Sequence, residues 1–146
     1  MPDSFKSDTD AWTSTTPGPM MAGKRGLIMG VANHNSIAWG IARALHQHGA
    51  ELAFTCQGKA LERRVWPLAE QVGSDIVELC DVEDMKVLGS VFDRLSTSWD
   101  RLDFVVHAIA YSDKEELNGY YVDTSQENFR RTMAVSCYSF TAVAHH

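Results

Sequence analysis

Long apolar runs, paired cysteines and an excess of positive charge are all missing from this 146-residue sequence. No apolar stretch approaches the ~20 residues that cross a bilayer. The amino-terminal region also has no uninterrupted apolar core of the signal-peptide kind. No membrane partner is therefore expected. The three cysteines, Cys56, Cys80 and Cys137, lie far apart with no Cys-x-x-Cys spacing, and their odd number argues against a disulfide framework. A reducing cytoplasm is the simplest home. Lys and Arg number 13 against 19 Asp and Glu, a formal charge of −6, so there is no basic surface for nucleic acid or anionic lipid. His46 and His48 stand two positions apart, on different faces of any helix, and make a poor metal pair. A GxGxxG nucleotide fingerprint is missing as well.

What remains, 45% hydrophobic and 22% charged, is the composition of an ordinary globular protein. Residues 1–22 are rich in hydroxyl side chains but contain Asp3, Asp8 and Asp10, which a transit peptide would avoid. They are expected to be a disordered leader. Pro17, Gly18 and Pro19 interrupt regular structure there, and the folded part is expected over 23–146.

Leu27 to Val31 is a continuous apolar run of the kind found in a strand buried on both faces. A helix is predicted from Ser36, with Ile37, Ile41 and Leu45 on one face and Gly49 ending it. Glu51 to Thr55 reads as a second strand. Leu61, Val65, Leu68 and Val72 then repeat at helical spacing, and Asp75 to Leu79 is a third strand. Met85, Leu88, Phe92, Leu95 and Trp99 predict a third helix, and Arg101 to Ala108 a fourth strand. A last helix should start at Asp123, Thr124 and Ser125, with Glu127 close behind, and run through Phe129, Met133, Phe140 and Val143. Strands alternating with helices give βαβ units, hence an α/β doubly wound parallel sheet with right-handed crossovers. Ligands of such sheets bind beyond the carboxyl ends of the strands.

Four strand-end loops thus become the candidate site. In the first, Gly30 permits a tight turn and Ser36 supplies a hydroxyl where free helix N–H groups attract a pyrophosphate. Taken alone, these two residues equally suit a turn glycine and a helix cap. In the second, Gln57 comes 27 residues after Gly30, where an acidic residue usually meets the adenosine ribose. Its amide suits a ribose hydroxyl, while Lys59 suits a 2′-phosphate; the loop leaves both open. In the third, the Asp81 carboxylate can accept from an adenine amino group and Val82 can pack on the ring, although Asp81 alone reads as the cap of the next helix. In the fourth, small residues follow His107, and a lone histidine ending a buried strand reads as a satisfied structural residue rather than a base.

Together, Gly30-x5-Ser36-Ile37-Ala38-x-Gly40-Ile41-Ala42, the segment Gly49 to Thr55 with Gln57, Cys80-Asp81-Val82 and Phe104 to Ser112 resemble the enoyl-acyl carrier protein reductases of bacteria. These are a divergent branch of the short-chain dehydrogenase/reductases, with a Rossmann-type fold. The resemblance runs from about Lys24 to Ala144. It implies NADH as cofactor, with Gly30, Ser36 and Ile37 on the pyrophosphate side, Gln57 on the adenosine ribose, Asp81 and Val82 on the adenine and Ile109 near the nicotinamide ribose. It places Ser112 next to the acyl substrate, an enoyl thioester carried on acyl carrier protein. It also implies a homotetramer for a full-length protein but not for a fragment.

The family chemistry uses a tyrosine with a lysine seven residues later. Seven positions after Tyr111, Tyr120, Tyr121 and Tyr138 stand Asn118, Glu127, Asn128 and His145, and the last lysine is Lys114. No catalytic residue is therefore assigned to this chain. It is expected to be the amino-terminal part of the fold, truncated after the fourth strand and its following helix, with that strand left as an edge prone to pair with other chains. Such a fragment should bind NADH weakly and lack reductase activity. Two alternatives remain open from sequence: another short-chain dehydrogenase/reductase acting on a carbonyl, and a non-catalytic nucleotide-binding module.

Overall fold

A computed structural model of the chain describes residues 19–146. Of the expected leader, residues 1–18 lie outside that range. Pro19–Met21 form a short 3-10 turn, and the Met21 N–H donates to the His48 carbonyl at 2.9 Å.

Four strands form one parallel sheet: β1 (Arg25–Met29), β2 (Glu51–Cys56), β3 (Val77–Leu79) and β4 (Phe104–His107), in the order β3-β2-β1-β4. Register runs Met29 opposite Thr55 on one side and Met29 opposite His107 on the other, so the carboxyl ends of the central strands are level. Because side chains alternate along a strand, Ile28 and Phe54 face α1 (Ile37–Gln47) and α2 (Lys59–Gln71). Leu27, Met29 and Ala53 face α3 (Met85–Ser98) and the carboxyl-terminal helices. Both faces are covered, as the uninterrupted apolar run of β1 requires.

Two strands are shorter than their apolar patterns. β3 begins at Val77 because the Ser74 hydroxyl takes the Ile76 N–H at 3.3 Å, a local bond that competes with the ladder. β4 begins at Phe104, since the side chain of Asp103 occupies the Arg25 N–H at 2.9 Å. β4 is an edge, and its four residues are only half-buried where β1 is closed on both sides.

Three expectations about the helices need correction. In α1, Ile37 is 80% exposed and Ile41 also faces outward, while Ala38, Trp39 and Ala42 face the sheet. Small side chains at Ala38 and Ala42 let the helix lie close over β1 and β2, which a larger Ile stripe would prevent. The cap of α3 is Asp84, which accepts from the N–H groups of Lys86 and Val87 at 2.9 and 3.2 Å, and not Asp81. The final helix is interrupted: α4 (Gln126–Met133) passes through a π-turn at Ala134–Tyr138 into α5 (Ser139–His145). Ser125 caps α4 through the Asn128 N–H at 3.1 Å, as expected, but Phe129, Met133 and Phe140 point outward. The inward face is Asn128, Val135, Ser139, Ala142 and Val143. Polar side chains hold that face because Asn128 satisfies the Asp113 N–H of the loop after β4 and Ser139 meets the His107 ring of β4.

The amino-terminal ends of the strands carry an ion cluster. Asp103 accepts from the Arg25 N–H, from Arg101 Nε and from Lys24 Nζ, and Arg25 also pairs with Glu51 and Asp100. The Arg25 backbone N–H, assisted by Arg101 and Lys24, holds the Asp103 carboxyl down from 3.8 to about 2. A carboxyl lowered in the folded state stabilises it above its unfolded value and loses that contribution as pH falls through the folded value. Folding stability should therefore decline between about pH 4 and pH 2, and Asp103→Asn should flatten that limb. Urea unfolding across this range checks it; an unchanged acid slope in the variant would refute the assignment.

Candidate functional site

The loop leaving β1 sets the site. Gly30 has φ +107°, and a Cβ added there would overlap the carbonyl of Ala108 at the end of β4. Only glycine combines that conformation with so close a backbone approach. The chain then turns through Asn33, whose Oδ1 accepts from the Asn35 N–H at 2.8 Å, and reaches Ser36. The Ser36 hydroxyl oxygen accepts from Ala32 N–H at 3.0 Å and Asn33 N–H at 3.1 Å and makes no cap bond to its own helix. Its side chain ties the loop and leaves the first N–H groups of α1 without a side-chain acceptor, an arrangement that suits an anion. α2, whose cap residue is Gly58, likewise has no side-chain cap, whereas α3 and α4 are capped by Asp84 and Ser125.

Beyond the strand ends lies a cleft of about 220 Å³. Gly30, Gln57, Asp81, Val82 and Ile109 line it, together with Thr55, Leu61 and Val135. Ser36 and Ile37 lie at the start of α1, outside this lining, with Ile37 exposed. Ser112 is also outside it, half-buried, its hydroxyl taking the Asn128 Nδ2–H at 3.3 Å. Gln57 and Asp81 meet directly: Gln57 Nε2 donates to Asp81 Oδ2 at 2.8 Å, and Asp81 Oδ1 accepts the Glu83 N–H at 2.9 Å. Lys59 pairs with Glu62 at 2.9 Å instead of standing free. Cys56 and Cys80 form part of the floor, and burial pushes both thiols up to about 11, which keeps them protonated and inert at neutral pH.

His107 lies on β4 and outside the cleft lining. Its Nε2 is 2.7 Å from the Ser139 hydroxyl oxygen, which itself donates to the Val135 carbonyl at 2.6 Å. The single Ser139 proton is directed at Val135, so His107 Nε2–H is the donor. Burial lowers the His107 pKa, favouring the neutral ring. This is the satisfied structural histidine that the sequence suggested.

Several neighbours of the cleft escape sequence reasoning. Ser136 accepts the Tyr111 N–H at 3.0 Å, and Asn128 Oδ1 accepts the Asp113 N–H at 2.8 Å, fastening the loop after β4 to the last helices. Glu83, Tyr111 and Arg131 line the cleft mouth. Glu83 and Tyr111 adjoin residues that were singled out, so proximity could have found them. Arg131 carries no spacing signal; only the fold brings it there.

The parallel sheet and its strand-end cleft define the chain as an α/β protein of the Rossmann type. A family model described as enoyl-(acyl carrier protein) reductase matches residues 30–146, and the chain belongs to that family. An enoyl-[acyl-carrier-protein] reductase [NADH] of Rhizobium meliloti is 60% identical over 125 residues, covering 86% of this chain and 47% of that protein. Among solved structures, the Anaplasma phagocytophilum enoyl-acyl carrier protein reductase in complex with NAD is 50% identical, with TM-score 0.86, covering 90% of this chain and 51% of that one. The Bacillus cereus reductase with NADP+ and an indole naphthyridinone is 41% identical, with TM-score 0.83, covering 86% and 49%. The chain spans about half the length of the curated relatives it matches.

Replacing Gly30 by Ala should cost about 2–4 kcal/mol, from backbone strain and collision with Ala108. Chemical unfolding measures this; a loss below about 0.5 kcal/mol would show that the loop can move aside.

Proposed function

We propose that this chain forms the cofactor-binding half of an NADH-dependent enoyl-acyl carrier protein reductase of fatty acid synthesis. The substrate of the whole protein is then a trans-2-enoyl thioester on acyl carrier protein. The observation that carries the reading is the convergence of four parallel strand ends on one cleft beside an α1 terminus left without a side-chain cap. Bound there, NADH would supply a hydride to the β-carbon of the enoyl group. The residues of this chain bind and orient. Gly30 lets the backbone come close, while the Ser36 hydroxyl and the Ile37 N–H face the pyrophosphate. Gln57 takes the adenosine ribose, Asp81 and Val82 the adenine, and Ile109 the nicotinamide ribose. Ser112 adjoins the acyl group.

Two contacts favour NADH over NADPH. Lys59 is shared with Glu62, and the Asp81 carboxylate stands 2.8 Å from Gln57, so a 2′-phosphate beside Gln57 would face that negative charge. A reducing cytoplasm suits the buried free thiols Cys56 and Cys80. The whole protein is read as a homotetramer, and the apolar surface that Phe129, Met133 and Phe140 leave on α4 and α5 suits a buried contact.

Fluorescence titration of the purified 146-residue chain should show saturable NADH binding, with NADPH at least about tenfold weaker. Equal affinity for the two would refute the role given to Asp81 and Lys59. With no Tyr and Lys at the family spacing, the same chain should not turn over a crotonyl thioester. Robust turnover would overturn the division between binding and chemistry.

A further inference from the structure

Two side-chain sets, Gln57–Asp81 and Glu83–Arg131–Tyr111, border the cleft and are joined through the backbone N–H of Glu83. Gln57, after β2, donates to Asp81, after β3, and Asp81 accepts the N–H of Glu83. Glu83 receives Arg131 from α4 through Nε at 3.3 Å to each oxygen and Nη2 at 3.0 Å. Arg131 Nη1 then donates to the Tyr111 hydroxyl at 3.1 Å, and the guanidinium carbon lies 4.4 Å from the Tyr111 ring centroid. Tyr111 belongs to the loop after β4, and Ser136 fixes its backbone. Arg131 is the cation among the residues lining the cleft.

We propose that the Glu83–Arg131–Tyr111 clasp is a positioning device that locks the loop after β3 to the loop after β4, so that both halves of a dinucleotide find their sites already at the right separation. The inference rests on the dinucleotide reading above. Stability alone gives a weak reason for the clasp: the Arg131 side chain is 47% exposed and that of Glu83 36%, and half-exposed pairs add little to folding. What the three hydrogen bonds to Glu83, the fourth to the Tyr111 hydroxyl and the ring beneath the guanidinium do fix is orientation, because a planar guanidinium holds a carboxylate and an aromatic face in set directions. Joining two subsites at a fixed distance strengthens a ligand that occupies both and leaves a ligand that occupies one nearly unaffected.

That difference supplies the test. NADH and AMP are titrated by NMR into the 146-residue chain and its Arg131→Gln, Glu83→Gln and doubly substituted Glu83→Arg/Arg131→Glu forms, with thermal unfolding run on each. Each single variant should bind NADH about tenfold more weakly while its AMP affinity stays within about twofold, and the charge-reversed pair should recover NADH binding to within about threefold. Unchanged NADH affinity in the single variants overturns the clasp and leaves the dinucleotide reading standing. So does a parallel loss of AMP binding, which would mark a local or purely structural effect. A wild-type chain that binds neither ligand overturns the clasp and the dinucleotide reading together.

Discussion

At Gly30 the backbone leaves a fully buried strand, adopts φ +107° and passes so close to the Ala108 carbonyl that no side chain fits between them. The cleft depends on that contact. It brings the loop after β1 against the loop after β4, so that Ala32 and Ile109 come to line one space. It also aims the chain at Ser36, whose hydroxyl gathers the N–H groups of Ala32 and Asn33 and thereby stays off its own helix. A bulkier residue at position 30 would separate β1 from the end of β4, and the two sides of the cleft would part.

The two ends of the sheet divide the labour. At the amino-terminal end, charges are matched: Lys24, Arg25 and Arg101 meet Glu51, Asp100 and Asp103. Each exposed pair contributes little alone, but Asp103 ties three cationic or N–H partners and draws β4 onto β1. At the carboxyl-terminal end, the floor is made of backbone, small residues and two protonated thiols, with charge confined to Asp81, Glu83 and Arg131 at the rim. Tight ion pairing holds the amino-terminal end of the sheet. The candidate cleft lies at the other.

Much of this architecture was legible in the sequence. Buried parallel strands read as continuous apolar runs and the helices between them could be located by their period, so the alternation of elements and the location of the loops came directly from pattern, while the strand order followed from the fold class. Gly30, Gln57, Asp81, Val82 and Ile109 converge because each follows a strand end, and strand ends can be counted along a chain. Arg131 could not be found this way. It lies 48 residues from Glu83, and an arginine on an amphipathic helix looks the same whether it faces water or a cleft.

The helix faces show why the periodic reading failed where it did. In α1 the larger residues Ile37 and Ile41 promised the buried stripe, yet the sheet accepts Ala38 and Ala42, because the distance between helix and sheet is set by the closest approach that packing allows. From α4 to α5 the apolar residues Phe129, Met133 and Phe140 again promised the core, yet Asn128 and Ser139 are buried, with Ser136 beside them. Hydrophobicity cannot anticipate that choice, since each of these side chains is buried to satisfy a specific partner: the Asp113 N–H, the Tyr111 backbone or His107 Nε2–H. All three partners belong to β4 or the loop that follows it. A segment built only for stability would bury its phenylalanines here; this one spends its inward face on holding a loop in place, and the π-turn at Ala134–Tyr138 presents Ser136 and Ser139 to two different parts of that loop and strand. The departure from pattern and the candidate cleft therefore coincide for one physical reason: the loop that lines the cleft has its backbone fixed by hydrogen bonds, and those bonds displace apolar residues from the helix face that makes them.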